Sequence, residues 1–133
     1  MSVFYNKVER GNPSDPKAAK KWYAVIKSVG RVGEKEVAKQ IADETTLNRK
    51  EAEMALAQLE KVMVRLLLEG HTVQLGDWAS FYLTCNSEGV DKKEDLKAEN
   101  IKGINIRFFP GKELKEHIQK VSFKSVESLS NEK

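Results

Sequence analysis

From Asn48 to Gly70 the chain carries a helical apolar pattern too broad for one small protein to cover, and no other segment constrains the fold as strongly. Ala52, Ala55, Leu56, Leu59, Val62, Met63, Leu66 and Leu67 recur at the three- and four-residue spacing of a helix face. Asn48, three residues before Glu51, predicts a capped N-terminus, because its side-chain oxygen can accept an orphan amide while Glu51 favours the positive helix end. Gly70 stands where a left-handed residue would end the helix. The last two turns, Val62 to Leu68, are apolar on more than one face. A chain of 133 residues and 15.1 kDa has room for one compact domain with a small appendage. A second copy is the simplest cover for the surplus apolar surface, so a two-fold homodimer is expected.

The flanking segments predict an α+β chain. Phe4 to Val8 and Trp22 to Ile26 are aromatic and β-branched runs, joined by a loop holding Gly11, Asn12, Pro13, Ser14, Asp15 and Pro16. Trp22 and Tyr23 are expected in the sheet core rather than as stacking platforms, because large aromatics usually bury. Gly30 and Gly33 bracket a break, and Val37, Ala38, Ile41 and Ala42 then mark a short helix from about Glu34 to Thr45. After the long helix, Thr72 to Leu75 alternates as a strand, Gly76-Asp77 supplies a turn, and Trp78 to Cys85 returns as its hairpin partner. Residues 86–100 are polar and charged. Ile101 to Phe109 reads as a third strand, stopped by Pro110-Gly111, and Leu114, His117 and Ile118 suggest a short last helix. A final short strand at Val121 to Phe123 precedes a serine-rich tail expected to fray. The expected organisation is an N-terminal β extension over 1–32, a central domain over 33–121, and a strand and tail over 122–133.

Composition narrows the function classes. No apolar run approaches the ~20 residues that cross a bilayer, and the N-terminus lacks the apolar core of a signal peptide, so a cytoplasmic protein is expected. The single cysteine, Cys85, can form no intrachain disulfide and has no evident base partner. His71 and His117 lack neighbours at metal-ligand spacing, and no phosphate-loop, nucleophile-elbow or zinc-protease motif occurs. Neither catalysis, a metal, a cofactor nor a small-molecule substrate is expected. The net charge of +3 is mild, but residues 1–31 alone carry +5.

The strongest sequence signal lies in two segments. Val73-Gln74-Leu75-Gly76-Asp77-Trp78-Ala79-Ser80-Phe81 resembles the V-x-L-x-G-F-G-x-F signature of the HU and integration host factor family, with Asp77 and Ala79 in place of glycines. Ile106 to Lys115 resembles that family's F-x-P-G-K-x-L-K entry to its last helix, and Phe109 stands where relatives usually place a basic residue. The resemblance spans residues of about 33 to 120. With the N-terminal extension and the stretch Ala98-Glu99-Asn100-Ile101-Lys102-Gly103, it is similar to the HU-like subfamily of Bacteroidetes-type bacteria. It implies an intertwined homodimer with two N-terminal helices, a three-stranded antiparallel sheet with an arm, and a short C-terminal helix. It also places Trp78 and Phe81 at aromatic positions closing the core, and implies non-specific binding and bending of duplex DNA in the nucleoid. The family's arms carry an Arg-Asn-Pro wedge. Residues 86–100 have neither arginine nor proline and a net charge of −2, so sharp kinking by that device is not expected.

The candidate contacts follow from this resemblance and from the charges. Lys112 and Lys115 flank the N-terminus of the last helix, where free amides would add to their ammonium groups, although Glu113 and Glu116 could equally make this a balanced solvated face. Lys102 and Arg107 lie on the third strand and could reach phosphate or pair across strands. Lys92, Lys93 and Lys97 belong to the arm, and Lys20 and Lys21 to the basic stretch that also holds Lys17, Lys27 and Arg31. The expected dimer interface comprises Leu56, Leu59, Met63 and Leu66 of the long helix with Phe81 and Phe108 of the sheet. The alternative is a dimeric scaffold of the same fold whose partner is a protein, motivated by the acidic arm, the extra strands and Phe109.

Overall fold

The computed structural model describes residues 1–130. It is a mixed α+β chain with three helices and two three-stranded sheets, and it divides into two compact units. One unit comprises Met1–Val32 and the chain from Ile118 onward; the other is Gly33–His117.

In the first unit, β1 (Ser2–Arg10) and β2 (Lys21–Lys27) form an antiparallel pair. The loop between them is shaped by short polar side chains: Asn12 Oδ1 accepts from the Ser14 amide and Asp15 Oδ1 from the Lys17 amide. The last strand, β6 (Ser122–Ser125), runs parallel to β1 on its other side, which gives the order β2-β1-β6. This strand starts and ends later than Val121 to Phe123. After it, Val126–Ser130 forms a 3₁₀ turn, with Ser128 Oγ donating to the Ser125 carbonyl. Residues 131–133 of the serine-rich tail lie outside the described residues.

The second unit begins with α1 (Glu34–Glu44) packed on α2 (Arg49–Leu68). Asn48 caps α2 as its spacing requires: Oδ1 accepts from the Glu51 amide at 2.9 Å and Nδ2 donates to Glu51 Oε1 at 2.7 Å. At the far end Gly70 adopts φ +91, and the amides of Gly70 and His71 donate back to the carbonyls of Leu67 and Leu66. This closes the helix in a Schellman turn.

The strands β3 (Val73–Leu75), β4 (Ala79–Ser87) and β5 (Ile101–Pro110) form an antiparallel sheet in that order, and α3 (Lys112–Gln119) follows. Trp78, expected at the start of a strand, instead lies in the β3–β4 turn, nearly half exposed, because the pairing begins with Leu75 opposite Ala79. It does not close a core in the single chain.

The buried core is thin. Among the described residues only Ala38, Ala52, Leu67 and Ala79 are buried apolar side chains, and no large side chain is fully enclosed.

Candidate nucleic-acid interface

Strand alternation divides the β3-β4-β5 sheet into two chemically different faces. Register pairs Phe81 with Phe108, Leu83 with Ile106 and Cys85 with Ile104 on one face. Ile104 is 65% exposed, Ile106 60% and Phe108 49%, so this is an open apolar surface. The Phe81 and Phe108 rings meet at 5.4 Å between centroids, inclined by 43°, a geometry that contributes about 0.5–1.5 kcal/mol beyond area burial. The opposite face pairs Ser80 with Phe109, Tyr82 with Arg107 and Thr84 with Asn105. It is polar apart from the Phe109 ring.

Helix α3 adds its lysines on this polar side. Lys115 Nζ sits 4.5 Å from the centroid of Phe109, a cation–π contact that brings it to the face carrying Arg107. Lys112 lines a groove of about 450 Å³ with Gln74 and Ser80, but Asp77, Glu113 and Glu116 line it too. A phosphate entering there meets three carboxylates for one ammonium. Lys115 and Arg107 are therefore better placed for an anion than Lys112.

Two of the amides expected to be free at the start of α3 are already engaged. The Gly111 amide donates to the Trp78 carbonyl at 2.8 Å and the Glu113 amide to the Asp77 carbonyl at 3.3 Å, so the hairpin turn consumes donors that an anion would need. The turn sits so close that a Cβ on residue 111 would overlap the Asp77 carbonyl. This explains the glycine in the Pro-Gly step and fixes α3 against the hairpin.

The arm is an exposed loop interrupted by two short turns. β4 continues to Ser87, beyond the expected end at Cys85, and the Glu88 amide donates to the Asn100 carbonyl to close the loop at its base. Two 3₁₀ turns, Lys93–Asp95 and Ala98–Asn100, lie between, and the Lys97 amide donates to Asn100 Oδ1. Lys92, Lys93 and Lys97 are exposed here among Asp91, Glu94, Asp95 and Glu99. A bulge after the Asn86–Gly103 pair leaves Lys102 without a partner in the strand register. Its Nζ lies 3.4 Å from Glu88 Oε1 and donates to the Glu99 carbonyl, so Lys102 pairs with the root of the loop.

The remaining candidates lie elsewhere. Lys20 and Lys21 belong to the N-terminal unit, Lys21 opening β2. Trp22 and Tyr23 beside them are 67% and 49% exposed, which corrects their assignment to a sheet core. They are consecutive on one strand and so face opposite ways, and the unit supplies no helix within Met1–Val32 to bury either side. Of the expected interface residues, Leu56, Met63, Leu66 and Phe81 are half-buried, while Leu59 and Phe108 are exposed. Not singled out as contacts from the sequence were Arg10 and Lys124, which the register of β1 with β2 and β6 brings onto one face with Lys21 and Lys27 of the basic stretch. Spacing along a single strand could have flagged only Lys21 and Lys27.

No helix among the described residues is long and apolar enough to cross a membrane. No curated protein matches the sequence. A solved structure of a Bacteroides vulgatus ATCC 8482 chain, described as a "putative bacterial DNA binding protein", is similar in fold with a TM-score of 0.64 at 14% identity. The match covers 94% of this chain and 48% of that one, so this chain spans about half the length of its structural neighbour. The family model described as an HU domain fused to a winged helix-turn-helix, Ig or glycine-rich motif matches residues 1–125. Nearly the whole sequence is covered, and the chain belongs to this HU-HIG family.

Proposed function

We propose that the protein binds duplex DNA as a two-fold dimer, as an architectural protein with little sequence preference, the polar face of its β3-β4-β5 sheet directed at the phosphate backbone. The observation that carries this reading is the two-faced sheet. Its apolar face, with Ile104, Ile106 and Phe108 open, needs a cover, and its polar face presents Arg107 and Lys115 together. A second copy answers the first need, because α2 also leaves Met54, Leu59, Val64 and Leu68 exposed. Lysine and arginine contacts to phosphate set position and affinity without reading bases, which supports low sequence preference. Membership of an HU family and the description of the structural neighbour agree with DNA as the partner.

The acidic arm separates this protein from wedge-inserting relatives. Its cations are matched by carboxylates, and it contains no proline to unstack a base step. DNA bound by this protein therefore bends smoothly or little.

The test is fluorescence anisotropy with a 30-base-pair duplex over a salt series. Binding that weakens steeply with salt, by about 0.9 log units per log unit of salt for each phosphate contact, is the expected result. No association at low salt would overturn the reading in favour of the protein-binding scaffold. A sharp kink in an energy-transfer bending assay would overturn the account of the arm.

A further inference from the structure

We infer that the N-terminal sheet carries a second nucleic-acid contact surface, in which Arg10, Lys21, Lys27 and Lys124 on one face engage the phosphate backbone. Register assembles the four from three strands. Arg10 lies opposite Lys21, and Phe4 lies between Lys27 on β2 and Lys124 on β6. Steps of two along β1 and β2 keep all four on one side, and Glu9, the acidic residue of β1, points to the other. All four are exposed, and among the described residues none of them is ion-paired.

Two facts point to a polyanion rather than to a solvated surface. The first is the Arg10–Lys21 pair: like charges directly opposite each other weaken a sheet unless an anion offsets them. The second is the charge balance of the units. The unit built from Met1–Val32 and the chain from Ile118 onward has ten basic residues and four acidic, whereas Gly33–His117 has thirteen basic and sixteen acidic. The unit with the two-faced sheet is thus net negative, and a phosphate polymer is attracted chiefly to the other.

Dimensions favour a nucleic acid over an acidic peptide. Arg10 and Phe4 are six residues apart on β1, about 20 Å, or the rise of about six base pairs. At the Arg10 end a groove of about 500 Å³ is lined by Arg10, Lys21 and Tyr23 with the two ends of the loop, Gly11 to Pro13 and Ala18 to Ala19. There an exposed aromatic ring lies beside two cations, matching sugar or base next to phosphate.

The experiment compares the full chain with two variants, Lys21→Gln/Lys27→Gln/Lys124→Gln and Lys112→Gln/Lys115→Gln, by anisotropy on a fluorescein-labelled 30-base-pair duplex and on a 30-nucleotide single strand. The substituted side chains are exposed, and circular dichroism verifies that each variant folds. The sheet variant is expected to bind at least tenfold more weakly at low salt, with its salt slope reduced by about 2–3. The two probes distinguish a duplex from a single strand as the source of phosphate, and loss on either supports the inference. Loss confined to the sheet variant, with the α3 variant unchanged, supports this surface while removing the α3 contacts of the proposed function. Wild-type affinity and slope in the sheet variant overturn the inference, as does displacement of the duplex by polyglutamate at equal charge concentration.

Discussion

Single residues hold this fold together at joints where a backbone group lacks a regular partner. Asn48 supplies the missing acceptor at the start of α2, so Asn48→Ala should lower stability by about 1 kcal/mol, read as a shifted urea midpoint with unchanged slope at fixed protein concentration. Gly111 fills a different need, contact with the hairpin turn. Gly111→Ala pushes a methyl group into the Asp77 carbonyl and should cost about 1–3 kcal/mol, with α3 losing amide protection in hydrogen exchange before the rest of the chain. Wild-type protection of α3 in that variant would show that the hairpin does not anchor the helix. Of these two positions Asn48 was legible in the sequence, because capping is a local matter of three residues. The role of Gly111 was not, since the carbonyl it accommodates lies 34 positions earlier in the chain. The same limit applies to the α3 amides: sequence placed them at a helix start, and the turn across from them decided that those of Gly111 and Glu113 were taken.

Among the elements, the β4–β5 ribbon couples assembly to binding, because residues one position apart serve different partners. Phe108 belongs to the open apolar face and Arg107 to the polar one. Phe108→Asp should therefore shift the protein to monomer or unfold it in sedimentation velocity, since a carboxylate at a covered position is left without a partner. Arg107→Gln should leave sedimentation unchanged and lower the salt slope of duplex binding by about 1. A Phe108→Asp protein that still sediments as a wild-type dimer would show that this face is not the seam. The extent of α2 and the presence of the hairpin followed from periodicity and turn residues, while the ends of β4 were set by its pairing with β3 and β5. The Lys102 bulge and the turns of the arm had no periodic signature, and the bonds at the arm's base, from Lys102 to Glu88 and the Glu99 carbonyl and from the Glu88 amide to the Asn100 carbonyl, close only once β4 and β5 meet.

For the whole molecule, the thin core makes quaternary structure the central expectation. Small domains already bury a modest share of their surface, and here three alanines and one leucine are the buried apolar side chains of the described residues. The protein should sediment as a dimer at micromolar concentration, with a melting temperature that rises with concentration. A well-folded monomer whose melting is independent of concentration would remove the basis for the proposed assembly. Sequence alone determined the helices, the hairpin and their order, because the 3.6- and two-residue periods, the Asn48 cap and the Gly70 stop are local properties of the chain. It also placed the excess positive charge near the N-terminus. Only the tertiary structure decided that β6 joins β1 across some 120 residues, that Trp22 and Tyr23 stay exposed, and that Arg10, Lys21, Lys27 and Lys124 share a face. Strand partnership and burial are contacts between distant segments, and the spacing of residues along one segment carries no record of which other segment will lie beside it.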